Sequence, residues 1–321
     1  MPDLNVGGQA VIEGVMMRSK DRVSTAVRIP SGEILVKTDE YISLSKRFKF
    51  LGWPVLRGVV TFFEMLIIGV KTLNFSADIA VKEVEKEEAQ QKGQEYVPAE
   101  KKSTNLALIG TVVFALALGI LIFFFTPIAI ASLLGIERDA FIFNLVAGAV
   151  RVLLFLAYVW LISLFGEFKK VFQYHGAEHK SIFAYENGEE LTTENVARYT
   201  TFHPRCGTSF ILIVALFAIL IYSISDSIFA LVMGYPPALL TRFAVHFSLL
   251  PLVAGGSYEL LKLSGRTREN SVTKVLIQPG LWLQRITTKE PSAEQMEVAI
   301  VALESALGIK DSKISVNRTC L

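Results

Sequence analysis

The chain of 321 residues carries 32 Lys and Arg against 30 Asp and Glu, a net charge of +2 at pH 7, and 52% of it is apolar. Charge so nearly balanced excludes the clustered basicity of a nucleic-acid binder, and apolar residues gathered in long runs exclude an ordinary soluble composition and point to membrane. Cys206 and Cys320, the two cysteines, give no disulfide framework and suit a reducing compartment.

The N-terminus, "MPDLNVGGQAVIEG", has neither a basic region nor an apolar core, so no secretory signal peptide is expected. Gly7, Gly8 and Gly14 are not followed by the Lys-Ser/Thr pair of a phosphate loop, and a nucleotide site is not expected there. "VSTAVRIPSGEILVKT" alternates apolar and polar residues around "PSGE", which predicts a hairpin and a small β-containing cytoplasmic unit over 1–50. In the apolar run of 51–80, Arg57, Glu64 and Lys71 recur every seven residues. They form one helical stripe opposite Phe62, Phe63, Leu66, Ile67 and Val70. That pattern favours an interfacial or re-entrant amphipathic helix over a fifth membrane span. Residues 81–104, dense in mixed charge, read as a solvated helix end and linker.

Residues 105–263 hold four stretches of the length that crosses a hydrocarbon core: about 106–134, 140–165, 209–233 and 240–263. The connections "GIERDA" and "GYPPA" are nearly free of Lys and Arg, whereas the N-terminal region, the loop 166–208 and the tail 264–321 collect them. The positive-inside rule then places both termini and that loop in the cytoplasm of a multi-pass cell-membrane protein. Arg151, Asp226 and His246 fall at similar depth, roughly 9 to 15 Å from the outer ends at 1.5 Å per residue. An Arg151–Asp226 pair with His246 is therefore expected as glue between spans, in preference to a transport path. In the tail, Ser292 and Gln295 make a capping box. Met296, Ala299, Ile300, Leu303 and Leu307 follow at helical spacing, predicting a helix that packs on another part of the chain, the N-terminal hairpin being a candidate. The fold expected is mainly α: a polytopic helical membrane protein with about four transmembrane helices, an interfacial amphipathic helix and a small cytoplasmic α+β portion from both termini.

The chemistry concentrates in the loop 166–208. "YHGAEHKSIFAYENGE" sets His175 and His179 one helical turn apart with Glu178 beside them, a pattern that can direct two imidazoles at one ion. "TTFHPRCGTSF" adds His203 and Cys206, so three of four histidines and one of two cysteines lie within 32 residues, 175 to 206. Such a nitrogen and sulfur set suits zinc or another divalent transition metal. Glu259, near the cytoplasmic end of the fourth stretch, is a further ligand or a partner for Arg205, and Glu167 a weaker candidate of the same kind. Three ligands plus water would leave Glu178 as general base of a hydrolase acting on a membrane-associated peptide or lipid. Four protein ligands would instead make the ion structural, in a scaffold or transporter.

"GGQAVIEGVMMR", "YHGAEHK", "HPRCGTSF" and "GLWLQRITTKEP" together resemble the YqhQ-like bacterial membrane proteins over nearly the whole chain. The resemblance implies membership of an uncharacterised family described as predicted metal-dependent enzymes. It also implies that the segment bearing Glu13 and Arg18 walls the histidine site. Oligomeric state is not indicated by the sequence.

Overall fold

The computed structural model describes residues 6–95, 104–136, 139–204, 206–266 and 270–309. Arg205, Cys320 and residues 96–103 of the expected linker lie outside them.

The N-terminal segment is a four-stranded antiparallel meander, β1 (Gly7–Val11), β2 (Gly14–Arg18), β3 (Arg22–Arg28) and β4 (Ile34–Glu40), in the order β1-β2-β3-β4. The "PSGE" hairpin forms as expected, with Gly32 at φ +89° in the turn between β3 and β4. The "GGQAVIEGVMMR" segment forms a second hairpin that joins it edge to edge.

Side chains alternate across a strand, and here both faces are covered. Val15, Met17, Ala26 and Val36 face one helical layer, and Val11, Met16, Val23 and Val27 face another. The first layer is α6 (Gly166–Glu186) with α12 (Ala293–Leu307), so the capped C-terminal helix does pack on the N-terminal hairpins. Its capping box, Ser292 with Gln295, is formed. The second layer is the long helix that follows β4.

Between the sheet and the first long apolar helix run α1 (Leu44–Arg47) and α2 (Leu56–Gln91). The latter is one continuous helix through the stretch expected to begin a linker. Of its charged stripe, Arg57 and Glu64 find partners within the fold, whereas Lys71 is exposed. Glu64 accepts from Tyr41 Oη at 2.5 Å, Ser43 Oγ at 2.9 Å and the Leu44 amide at 2.6 Å, while Arg57 forms a two-point ion pair with Glu259. Phe62, Phe63, Leu66, Ile67 and Val70 are exposed. This inverts the arrangement of a water-facing helix and fits an apolar surround.

Gly58 lets α2 approach a later helix, α10 (Leu250–Arg266): a Cβ there would lie 2.7 Å from the Gly255 carbonyl oxygen. Gly58→Leu is expected to destabilise the fold by about 1–3 kcal/mol through overpacking, read as a lower midpoint of thermal unfolding in detergent.

Three helical stretches are long and apolar enough to cross a membrane. The first is α3 (Thr104–Ile120) continued through a π turn (Leu121–Phe125) into α4 (Thr126–Leu133); the others are α5 (Ala140–Ile162) and α8 (Gly207–Met233), with the short α7 (Thr193–Ala197) between α6 and α8. The fourth expected span is instead a pair, α9 (Leu239–Ser248) and α10 (Leu250–Arg266), bent by 50°. Pro251 explains the break: lacking an amide hydrogen, it leaves the Phe247 carbonyl without its helical donor. The last unassigned helix, α11 (Ser271–Thr287), packs on α8 and α5.

The expected Arg151–Asp226 pair does not form. Asp226 is ion-paired with Arg242, whose Nε lies 3.2 Å away, and hydrogen-bonded to His246 Nε2 at 2.9 Å and Asn144 Nδ2 at 2.9 Å, all in the buried interior. Arg242 covers the Phe143 ring at 3.5 Å, and His246 stacks on Tyr222. This network ties α5, α8 and α9 together.

Candidate metal centre

The helix α6 carries His175, Glu178 and His179, and its inner face is buried from Gly176 through Ile182. Gly176 is required for that burial. A Cβ there would stand 2.1 Å from the Lys289 carbonyl oxygen, and the Lys289 amide in turn donates to the Phe172 carbonyl at 2.9 Å. The chain leaving α11 is thereby pressed onto α6 at the histidine turn.

Both imidazoles are oriented by backbone carbonyls. His175 Nδ1 lies 2.8 Å from the Thr287 oxygen, and His179 Nδ1 contacts the Thr201 oxygen. A carbonyl only accepts, so each Nδ1 carries the proton and each Nε2 keeps its lone pair. The His175 Nε2 lies 3.2 Å from Cys206 Sγ, and one ligand atom from each of His175, His179 and Cys206 falls within 4.8 Å of the other two. His179 Nε2 is buried with no partner inside ordinary hydrogen-bond distance. Burial is the largest influence on His179 and pushes its imidazole below the usual range, offset in part by Cys206. It is held neutral, the form that ligates metal. Two lone pairs and a sulfur converging on one point, each ring fixed through its other nitrogen, match the donor chemistry of a zinc-type ligand set.

Glu178, three residues after His175, turns towards β1. Its carboxyl packs against Gly8 of β1, where a Cβ would come within 2.9 Å of Glu178 Cδ, and accepts the Gly8 amide. Oε2 is buried without a partner. Burial pushes this carboxyl up to about 7, against the opposing pull of His175 and the Gly8 amide.

The remaining sequence candidates lie elsewhere. The His203 ring sits beside the centre, its centroid 5.6 Å from that of His179, but its Nε2 faces Glu186 Oε2 at 3.7 Å. Its backbone is clamped at both ends by Gln284: the His203 amide donates to Gln284 Oε1 at 2.7 Å, and Gln284 Nε2 donates to the His203 carbonyl at 2.9 Å. His203 thus stands outside the three-residue cluster. Glu259 is engaged by Arg57 on the far side of α10, which removes it from the centre, and Glu167 is exposed in the first turn of α6. Glu13 does reach α6, through Lys170 Nζ at 2.9 Å and Tyr174 Oη at 3.4 Å, whereas Arg18 turns to Met65 and the Tyr41 ring. Sequence reasoning did not find Gly8, Thr201, Gln284 or Thr287 as contributors, because three of the four act through backbone groups. Gly8 lies in "GGQAVIEGVMMR", Thr201 in "TTFHPRCGTSF", and Gln284 and Thr287 in "GLWLQRITTKEP", so the stretches carried a signal and the roles of these residues did not.

The family described as "Protein of unknown function (DUF1385)" matches residues 53–309. The "Uncharacterized protein YqhQ" of Bacillus subtilis (strain 168) is 34% identical over 313 residues, covering 95% of this chain and 92% of that protein. The chain belongs to this family. No solved structure matches it.

Proposed function

We propose that this member of the DUF1385 family is a multi-pass membrane hydrolase of the zinc type, with both termini and the histidine site on the cytoplasmic side, acting on a membrane-associated peptide or lipid. The observation that carries the reading is the convergence of His175 Nε2, His179 Nε2 and Cys206 Sγ, with both rings held by backbone carbonyls. Those three residues would hold the ion. When bound, it would supply Lewis-acid activation of water and of a carbonyl or phosphoryl centre. His203 outside the set leaves the donor count at three, which favours chemistry over a closed structural site. Glu178, its carboxyl raised towards neutrality, is suited to take and return a proton at Oε2. The orientation rests on the Lys and Arg content of the segments joining the apolar helices.

The test is metal analysis of the purified full chain. Wild type is expected to hold about one divalent ion per chain, and His175→Ala, His179→Ala and Cys206→Ala to lower that content by about tenfold or more. Glu178→Gln and His203→Ala should retain it. Wild type that contains no metal and takes none up from zinc overturns the proposal. Loss of the ion in His203→Ala converts the site to a structural one.

The 3.2 Å contact supports a second reading, in which Cys206 is a nucleophile and His175 its base, oriented by the Thr287 carbonyl. Alkylation by iodoacetamide discriminates: rapid modification of Cys206 that added zinc does not slow favours the dyad, and protection by zinc favours the metal.

A further inference from the structure

Pro127, the second residue of α4, has no amide hydrogen, so the carbonyl of Phe123, four residues earlier, lacks its helical donor. The chain accommodates this with the π turn over Leu121–Phe125. Arg151, from α5, supplies the missing donor through Nε at 3.0 Å. Its guanidinium lies 5.3 Å from the ring centre of Phe124 and 5.9 Å from that of Tyr222. One further nitrogen, Nη2, is buried with no hydrogen-bond partner. Among the described residues no carboxylate is within ion-pair distance of Arg151, since Asp226 is engaged by Arg242 and His246.

This cation lines a cavity of about 450 Å³ between α3, α5, α8 and α10, with Leu283 of α11 also in its wall. Leu116, Phe155, Ala218 and Val253 typify its remaining wall. The volume is in the roughly 300–1,000 Å³ range of small-molecule sites. A lone guanidinium within apolar helices is costly unless an anion joins it. A neutral hydrocarbon chain would fill the space and leave the guanidinium without a counter-charge, whereas an anionic amphiphile matches both the wall and the charge.

We propose that this cavity is a binding site for an anionic lipid, whose charged end is held by the Arg151 guanidinium and whose hydrocarbon chain lies against the apolar wall. The site is separate from the histidine cluster and does not rest on the metal reading.

Binding of oleyl phosphate and of oleyl alcohol, which share one chain and differ in charge, is measured on the full chain in neutral detergent. Wild type should bind the phosphate at least about tenfold more tightly than the alcohol. Arg151→Gln should bring the two to equal affinity, and Arg151→Lys should keep the preference. A Cβ at Gly119, which lines the cavity, meets no atom within 4 Å. Gly119→Phe should therefore enter the space without displacing backbone, weakening both ligands about tenfold with metal content unchanged. Equal binding of the two ligands by wild type, or an unaltered preference in Arg151→Gln, overturns the proposal. If Arg151→Gln fails to fold, oleyl phosphate binding undiminished in Gly119→Phe overturns it instead.

Discussion

Replacing Asp226 with alanine should cost the fold about 3–5 kcal/mol, because it removes the counter-charge of a fully buried arginine and leaves it stranded. Arg242 is 1% exposed and Asp226 2%, so solvent is unable to substitute for the lost partner. Asn144 and His246 lose a bond in the same step. Chemical unfolding in detergent would read the loss as a lower midpoint. Replacing the pair by Leu and Met together should recover most of it, since two apolar side chains of similar volume leave no unpaired charge. An Asp226→Ala protein as stable as wild type would show that Arg242 finds another anion.

The second large effect is expected at Gly176. Alanine there drives a Cβ to 2.1 Å from the Lys289 carbonyl oxygen, a backbone atom with no side-chain freedom to yield. The strand leaving α11 must move away from α6, taking with it the Thr287 carbonyl that orients His175. Stability should fall by about 1–3 kcal/mol, and on the proposed metal reading any metal content should fall with it although His175, His179 and Cys206 remain. Gly166→Ala on the same helix is the control. A Cβ there meets nothing, so stability should change by less than about 1 kcal/mol and metal content not at all. Equal metal content in both variants would separate ring orientation from ion binding.

Much of the architecture was legible in the chain because it is local. The "PSGE" turn, the Ser292–Gln295 capping box and the first three apolar runs depend on residues a few positions apart, and each appears where the pattern puts it, whereas the fourth run is broken into α9 and α10. The seven-residue recurrence of Arg57, Glu64 and Lys71 identified an amphipathic helix, and its apolar side is exposed. What the pattern lacked was the destination of the charges. Glu64 is spent on the segment after β4 and Arg57 on Glu259, and neither partner is close in sequence.

The candidate centre divides along the same line. His175 and His179 share a face because four residues make about one helical turn, and that relation belongs to the sequence alone. Whether Cys206 or His203 joins them is decided by the packing of α6, α8 and α11. Gln284 locks the His203 backbone in place, its ring meets Glu186, and Cys206 turns in towards His175. Similar membrane depth made Arg151 a natural partner for Asp226. Pro127 instead freed a carbonyl that claimed Arg151, and Arg242 lay nearer the carboxylate. The sequence by itself determined the helices, their apolar faces and the histidine pair, since these follow from short-range periodicity. Only the tertiary structure decided which polar groups meet, because a buried charge or lone pair takes whichever partner interhelical packing brings within about 3 Å.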